Sequence, residues 1–326
     1  MTTISYRDAV RRALDEEMAR DENVIFFGED VGRSGGVFKV TPGLFEKYGE
    51  TRVRDTPISE TAIVGAGIGA AITGLRPVVE LMFADFAAVT YDQIINQAAK
   101  MRYMSGGQIK VPLTIRMAQG GGMNFGAQHS QCCESWFMST PGLKIAVPGT
   151  PADALGLLKT AIRDDNPVVF LEHKALYSDR AEVPDEEYLI PFGKATVVRA
   201  GRHVTLVAIQ RMVQMALKAA EQLVHEGIEC EVIDLRTLVP LDLDTVLRSL
   251  RKTNRLITIE EAPLAGGWGG FVVSQVLDEA IWTLDAPVIR VTMGEGIVPF
   301  SPPLENALIP DEHQVIAAIH RLGIKV

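Results

Sequence analysis

The chain has 326 residues, of which 47% are hydrophobic, and a formal net charge of −9. This length suits two domains better than one. The absence of a run of 18 or more apolar residues argues against a membrane protein, and the absence of a basic cluster argues against nucleic-acid binding.

The cysteine pattern predicts a reducing compartment. Cys132, Cys133 and Cys230 form no disulfide framework. Residues 1–21 are charged and amphipathic, without the apolar core of a signal peptide. We therefore expect a cytoplasmic protein.

The first half of the chain alternates strand and helix patterns. Helices are predicted at residues 5–20, at the end of 31–49, after Glu60, at 86–104 and after Thr150. Strands are predicted at residues 24–30, 51–57, 76–86 and 111–117, and on both sides of the last helix within 143–176. This alternation predicts an α/β fold with a doubly wound sheet.

A second alternating unit follows a polar, proline-containing linker at residues 178–193. Strands are predicted near 195–199, 204–209, 230–233, 255–259 and 287–291, and helices near 211–226, 242–252, 270–282 and 311–322. The two predicted domains are 1–185 and a smaller α/β domain, 186–326. The proline-rich segment 298–310 is expected to pack on a neighbouring surface.

One acid opens an otherwise apolar segment, residues 55–92. Glu60 precedes a run of small and apolar residues, where a charged group is seldom buried without a partner. One interpretation is a helix start, in which Ser59 caps and the helix dipole favours the acid. The other interpretation is a buried, functional carboxylate.

Glycines recur at every second position in the helix that follows. Gly65, Gly67 and Gly69 do not match the GxGxxG pattern of a dinucleotide site. Since glycine costs about 1 kcal/mol relative to alanine in a helix, three of them predict close approach by another backbone. We expect a tight helix–helix contact, within the chain or between subunits.

Two loops carry further candidate residues. Met82, Phe83 and Phe86 follow the strand pattern of 76–86, at the end where parallel sheets bind ligands, although each fits a core role equally well. His129 lies in a glycine-rich loop after a strand and is either a proton-transfer group or a structural histidine. Its neighbouring cysteines match no usual zinc spacing.

An ordered set of motifs covers essentially the whole chain. It comprises DTPISE, ELMFADF with YDQIINQAAKMRYMSGG, GAQHS, PGLKIAVPGTP, IRDDNPVVFLEH, VIDLRTLVPLD and KTNRLITIEEA. The set resembles the β subunit of the thiamine-diphosphate-dependent decarboxylating component of 2-oxo acid dehydrogenase complexes. This family includes pyruvate, branched-chain and acetoin dehydrogenase members, and ELMFADF and GAQHS resemble the acetoin branch more than the bacterial pyruvate branch.

The resemblance implies a pyrimidine-binding domain of the thiamine-diphosphate fold, followed by a transketolase C-terminal domain. It implies an α2β2 heterotetramer with thiamine diphosphate held between α and β. Glu60 matches the glutamate that hydrogen-bonds the aminopyrimidine ring nitrogen, and His129 matches an active-site histidine. Residues contacting that ring are matched by Ile58, Met82 and Phe86.

The resemblance also implies metal sites and partners. The backbone around Leu113, Ala161, Asp164 and Asn166 matches a structural potassium site of some members. The family holds magnesium and the diphosphate with a GDG motif and a later asparagine, which this sequence lacks; residues 28–30 read GED. Mg²⁺ is therefore expected on the α subunit, and this chain is expected to be inactive alone.

The implied reaction cleaves a C–C bond in a small 2-oxo acid or acetoin and passes a two-carbon unit to a lipoyl-bearing acyltransferase. Two alternatives remain. A non-catalytic assembly or regulatory subunit on the same fold is disfavoured by the glutamate at position 60. A nicotinamide-dependent oxidoreductase is disfavoured by the missing GxGxxG.

Overall fold

A computed structural model describes residues 1–324 as two compact units. The first unit is Met1–Gln119 with Trp136–Phe192, and the second is Gly120–Ser135 with the chain from Gly193 onward. In the described part of the chain, no helix is long and apolar enough to cross a membrane. The sequence assigned residues 120–135 to the first domain, whereas in the structure they pack with the second unit.

The first unit alternates strands and helices in the predicted order. Its strands are β1 (Thr2–Ser5), β2 (Val24–Gly28), β3 (Val53–Asp55), β4 (Arg76–Leu81), β5 (Thr114–Gln119), β6 (Lys144–Ala146), β7 (Val168–His173) and β8 (Arg180–Val183). Its helices are α1 (Tyr6–Arg20), α2 (Leu44–Tyr48), α3 (Glu60–Ile72), α4 (Ala99–Met104), α5 (Glu134–Met138) and α6 (Pro151–Arg163), with α5 beginning in the 120–135 segment. Short turns of other pitch are Ala84–Ala88 and Lys174–Leu176 (3₁₀) and Gln93–Ala98 (π).

The main sheet of this unit is parallel, with strand order β3–β2–β4–β5–β7–β6. Neighbouring residues of a strand point to opposite faces. Val78 lies in the core shared with α1 and α6, whereas Val79 faces Gly67 of α3. Helices therefore cover both faces, which confirms the predicted doubly wound architecture.

Two predictions for the first unit are wrong in detail. The predicted helix at 86–104 is interrupted, because Ala84–Ala88 is a 3₁₀ turn and Gln93–Ala98 is π-helical before α4 begins. Hydrophobic periodicity does not resolve such changes of pitch. The predicted linker contains β8, which pairs antiparallel with β1 at the N-terminus. A four-residue strand with mixed burial gives little sequence signal.

The second unit contains a five-stranded sheet of order β14–β13–β10–β11–β9, parallel except for β9. The strands of this sheet are β9 (Thr196–Arg199), β10 (Val204–Ala208), β11 (Cys230–Asp234), β13 (Leu256–Pro263) and β14 (Ile289–Met293), and the short strand β12 (Thr237–Val239) lies outside it. The helices of this unit are α7 (Gln210–Leu223), α8 (Leu243–Thr253), α9 (Trp268–Ala280), α10 (Pro302–Leu308) and α11 (Glu312–Arg321). The predicted strands and helices are all present, and the additional helix α10 lies in the proline-rich segment.

The glycines of α3 have different surroundings. A Cβ at Gly67 would lie 2.9 Å from side-chain atoms of Leu113 and Val79, so this glycine lets the helix pack closely on the sheet. A Cβ at Gly69 would meet nothing within 4 Å. The close approach predicted at Gly67 is therefore to side chains of the sheet and not to another helix, while Gly69 lies on an open helix face.

Candidate active site

Three strands of the first unit end at one edge of the sheet. Gly28 of β2 pairs with both Asp55 of β3 and Glu80 of β4 in parallel register. The chain continues from β2 directly into Glu29 and from β3, after a short turn, into Glu60. The carboxyl ends of parallel strands therefore gather several acids at the edge where α/β sheets commonly bind ligands.

Glu60 is both the first residue of a helix and a buried acid. It opens α3 in the N-terminal turn, and its exposed fraction is 9%. Ser59 occupies the N-cap position, but its side chain makes no capping hydrogen bond, so the predicted cap is wrong. The structure thus combines the helix-start position of one interpretation with the burial expected from the other.

Glu29 is a neighbouring acid that the sequence analysis did not select. Its exposed fraction is 7%, and its Oε1 is buried without a hydrogen-bond partner in the described residues. Burial raises the pKa of Glu29 above its ordinary value, and the negative charge of Glu60 raises it further. The sequence signal for Glu29 is an acid directly after a buried strand, in the GED segment that lacks the magnesium motif.

A buried ion cluster lies behind this edge. Arg116 is 1% exposed and donates to Glu80 at 2.6 Å and to both carboxylate oxygens of Glu172 at 2.6 and 2.9 Å. The Tyr177 hydroxyl donates to Glu172 at 2.9 Å. One cation thus faces two carboxylates, and burial, opposed by the charge of Arg116, raises the pKa of Glu80.

The predicted ring-contacting residues lie in two loops of the same unit. Ile58 precedes α3 and is 82% exposed, which is unusual for a large apolar side chain. Met82 directly follows β4, and Phe86 lies in the adjoining 3₁₀ turn; both are half-buried. The Phe86 ring packs edge to face on the buried Phe83 ring, with centroids 5.7 Å apart.

An open groove of about 670 Å³ runs beside α3. Its floor includes Ile25 and Phe27 of β2, and Ala62, Ala66 and Ala70 form a line of small side chains along the helix. Most of this groove is apolar, and it lies next to the start of α3. It therefore offers an uncovered apolar surface close to Glu60 in sequence.

The predicted potassium-site residues gather where α6 ends and β7 begins. The Leu113 carbonyl accepts a hydrogen bond from the Val168 N–H, and the Ala161 carbonyl accepts one from the Asp164 N–H. Lys144 pairs with the Asp164 carboxylate. A carbonyl oxygen has a second lone pair, so these bonds leave the carbonyls able to bind a cation. The potassium site stays a prediction.

Arg102 also donates to the Asn166 side chain, at 2.6 Å. Within residues 1–324, no group of three or more histidine, cysteine, aspartate or glutamate side chains could hold a metal ion. Within the same residues, Cys132, Cys133 and Cys230 form no disulfide bond.

His129 lies in the second unit, whereas Glu60, Ile58, Met82 and Phe86 lie in the first. Its side chain is half-buried, and its backbone N–H donates to the Gly126 carbonyl at 3.4 Å. We call residues 120–131 the histidine loop. Its ends are joined by a hydrogen bond from the Gly120 N–H to the Gln131 carbonyl at 3.1 Å.

Comparison with known proteins follows the two-unit division. The profile described as "Transketolase, pyrimidine binding domain" matches residues 2–180. The profile described as "Transketolase, C-terminal domain" matches residues 193–315. Both regions keep the order that the motifs implied.

Full-length relatives give the same assignment. The mitochondrial pyruvate dehydrogenase E1 component subunit beta of Pisum sativum is 48% identical over 98% of this chain and 90% of its own length. The acetoin:2,6-dichlorophenolindophenol oxidoreductase subunit beta of Cupriavidus necator is 48% identical over 98% of this chain and 97% of its own. The corresponding acetoin subunit of Bacillus subtilis is 47% identical over 96% of this chain and 95% of its own.

A solved structure described as "Split gene transketolase, inactive beta4 tetramer" superposes with a TM-score of 0.81 and 26% identity, covering 98% of each chain. The profiles, the relatives and this structure agree along nearly the whole length. The chain belongs to the transketolase-like family of oxidoreductase beta subunits that includes those of the pyruvate dehydrogenase E1 component and of the acetoin oxidoreductases.

Proposed function

We propose that this chain is the β half of a thiamine-diphosphate-dependent 2-oxo acid or acetoin dehydrogenase. The observation that carries the proposal is the buried Glu60 at the carboxyl edge of a parallel sheet, with the buried Glu29 beside it. A carboxyl group in this setting suits proton exchange with a nitrogen heterocycle. The family membership supplies the class of reaction.

In this proposal, Glu60 holds a proton at the aminopyrimidine ring nitrogen of the cofactor. A charge-assisted hydrogen bond of this kind contributes about 1.5–3 kcal/mol. When bound, thiamine diphosphate supplies a nucleophilic carbon and the electron sink for C–C cleavage. Ile58, Met82 and Phe86 exclude water from the ring and fix its orientation.

Glu29 assists by carrying a proton close to Glu60. A protonated Glu29 places no second negative charge beside Glu60, whereas an ionised Glu29 would repel it. The raised pKa of Glu29 extends the pH range over which its neutral form persists. Glu29 therefore acts through the charge that it places, or does not place, beside Glu60 and need not touch the cofactor itself.

An α subunit completes the site. The 82% exposure of Ile58 and the open groove beside α3 support a partner that covers this apolar surface. Magnesium and the diphosphate are held by α, and the assembly is α2β2. The similar split-gene transketolase is described as an inactive tetramer of β chains, which agrees with a requirement for α.

His129 acts at the acceptor step, where the two-carbon unit passes to a lipoyl group on an acyltransferase. In that step the lipoyl disulfide is the two-electron oxidant: its S–S bond breaks, one sulfur takes the acyl group and the other becomes a thiol, to which the His129 imidazole donates a proton. The compartment we expect is the cytoplasm, although the relatives from Pisum sativum and Dictyostelium discoideum are named mitochondrial.

Reconstitution tests the proposal and identifies the substrate. The chain is mixed with its α subunit, thiamine diphosphate, Mg²⁺ and an artificial electron acceptor, and is offered pyruvate, branched 2-oxo acids or acetoin. We expect turnover of one of these substrates only when both chains are present. A formed α–β complex that is silent with all three would favour a non-catalytic assembly subunit. Turnover by the β chain alone would refute the requirement for α.

A further inference from the structure

Two buried carboxylates of the second unit hold the histidine loop. Glu305 of α10 is 1% exposed, and its two oxygens accept hydrogen bonds from the N–H groups of Gly122 and Asn124, each at 2.9 Å. Glu261 of β13 accepts a hydrogen bond from the Gly121 N–H. Three backbone donors within four residues therefore point at side chains from elsewhere in the unit.

Gly121 and Gly122 allow the loop backbone to lie close to these side chains. A Cβ at Gly121 would lie 2.6 Å from Ile309, and one at Gly122 would lie 2.2 Å from the Arg211 guanidinium. Gly122 also has φ of +83°, which disfavours any side chain. The loop backbone is thus confined by the two carboxylates, by Ile309 and by Arg211.

The buried carboxylate of Glu305 and the histidine loop depend on each other for stability. In residues 1–324 Glu305 forms no ion pair, so the N–H groups of the loop stabilise a carboxylate that is removed from water. Displacing the loop would leave a buried acceptor unsatisfied, which is strongly unfavourable. The carboxylate and the loop conformation therefore stabilise each other.

We infer that Glu305 is a positioning residue for His129, supported by Glu261. The hydrogen bonds to Glu305 and Glu261 fix residues 121–124 of the histidine loop. The hydrogen bond between Gly120 and Gln131 joins the two ends of the loop. His129 lies between these two points, and its own N–H donates to the Gly126 carbonyl, so the backbone that carries it is restricted from both ends. This inference rests on the proposed role of His129 in the acceptor step.

A double-mutant cycle in the reconstituted α–β enzyme tests the inference. Glu305→Gln keeps the shape but replaces one acceptor oxygen by an amide NH2 group, which cannot accept from the loop. We expect it to lower the turnover number for lipoyl acylation about tenfold, a loss typical of one charge-assisted hydrogen bond. In a His129→Ala background, the same substitution should cause little further loss, because the two residues act as a unit.

The control is Glu221→Gln, an exposed acid on α7, which should leave turnover unchanged. Equal losses from Glu305→Gln in the two backgrounds would overturn the inference. So would full activity of either Glu305→Gln or His129→Ala. Loss of activity in Glu60→Gln within the same assay reports on the proposed function separately.

If Glu305→Gln does not fold, Gly122→Ala is the second variant. Its methyl group displaces the loop from the Arg211 side without removing a charge. A loss of lipoyl acylation that His129→Ala masks supports the inference, and a loss that it does not mask contradicts it.

Discussion

At the scale of single residues, the pair formed by Glu29 and Glu60 has the clearest consequence. Burial raises the pKa of Glu29, so its ionised form is disfavoured in the folded protein. For such a group, the stability of the fold falls as pH rises from the ordinary glutamate pKa through the raised one. Above this pH range the burial of Glu29 therefore costs stability, a cost that its proposed function explains.

Glu29→Gln should accordingly raise the melting temperature at pH 7 to 8, and the gain should vanish near pH 4. The same variant should lower turnover of the α–β enzyme at least about tenfold, a modest loss for a group assisting proton transfer. The pH–rate profile of the variant should also lack the change in turnover that accompanies ionisation of Glu29. Thermal unfolding across this pH range and pH–rate profiles provide the test. A variant less stable than the parent at pH 8 would contradict the assigned burial cost.

Arg116 is the residue on which the neighbouring cluster depends. Arg116→Met leaves Glu80 and Glu172 buried without their cation, and loss of one partner of a buried ion pair costs about 3–5 kcal/mol. Urea denaturation of the isolated chain should show this loss. Arg251→Met, at an exposed site of α8, should change stability by less than about 0.5 kcal/mol. Similar small effects of both substitutions would show that the cluster does not support the fold.

The sequence predicts only those site residues whose own neighbours in the chain make them unusual. Glu60 stood out because an acid next to a small, apolar run is unusual. Glu29 did not, because its significance comes from the parallel pairing of β2 with β3, which brings together residues about thirty positions apart. Glu305 was equally inaccessible, since its partners are backbone N–H groups far away in the chain.

At the scale of elements, two glycines of α3 differ in their surroundings, and this difference can be tested simply. One of its glycines faces the sheet, and another faces open space. The composition of the helix predicts tight packing but does not tell which glycine takes part. The exposed side retains a line of small residues with no partner in the described residues of this chain, consistent with a surface that α covers.

Gly67→Ala and Gly69→Ala should therefore have opposite effects. The first places a methyl group against Leu113 and Val79 and should destabilise the isolated chain by about 1–3 kcal/mol. The second replaces a helix-interior glycine in open space and should stabilise it by about 0.5–1 kcal/mol. Urea denaturation of the two variants measures both effects. Destabilisation by Gly69→Ala would show that this face is already packed in the β chain alone.

The order of strands and helices was predictable because buried strands and amphipathic helices differ in hydrophobic period. The 3₁₀ and π turns between β4 and α4 were not predictable, since they keep the helical pattern while changing its pitch. The pairing of β1 with β8 was missed for another reason: it joins the two ends of the first unit, and short edge strands carry weak patterns.

At the scale of the whole molecule, the residues proposed for the active site are divided between the two units. The first unit bears the carboxylates and apolar side chains proposed for the cofactor ring, and the second bears the histidine loop. In residues 1–324 no group of three or more histidine, cysteine, aspartate or glutamate side chains could hold a metal ion. In the proposed function, catalysis belongs to the α–β assembly.

The most direct measurement is the rate of hydrogen–deuterium exchange at the thiazolium carbon of thiamine diphosphate bound to the α–β complex. Glu60→Gln should slow this exchange by about 10²- to 10⁴-fold while complex formation is unchanged, because the proton-donating carboxyl group is gone. Glu221→Gln should exchange at the parental rate. Exchange in Glu60→Gln as fast as in the parent would contradict the central claim that Glu60 activates the cofactor.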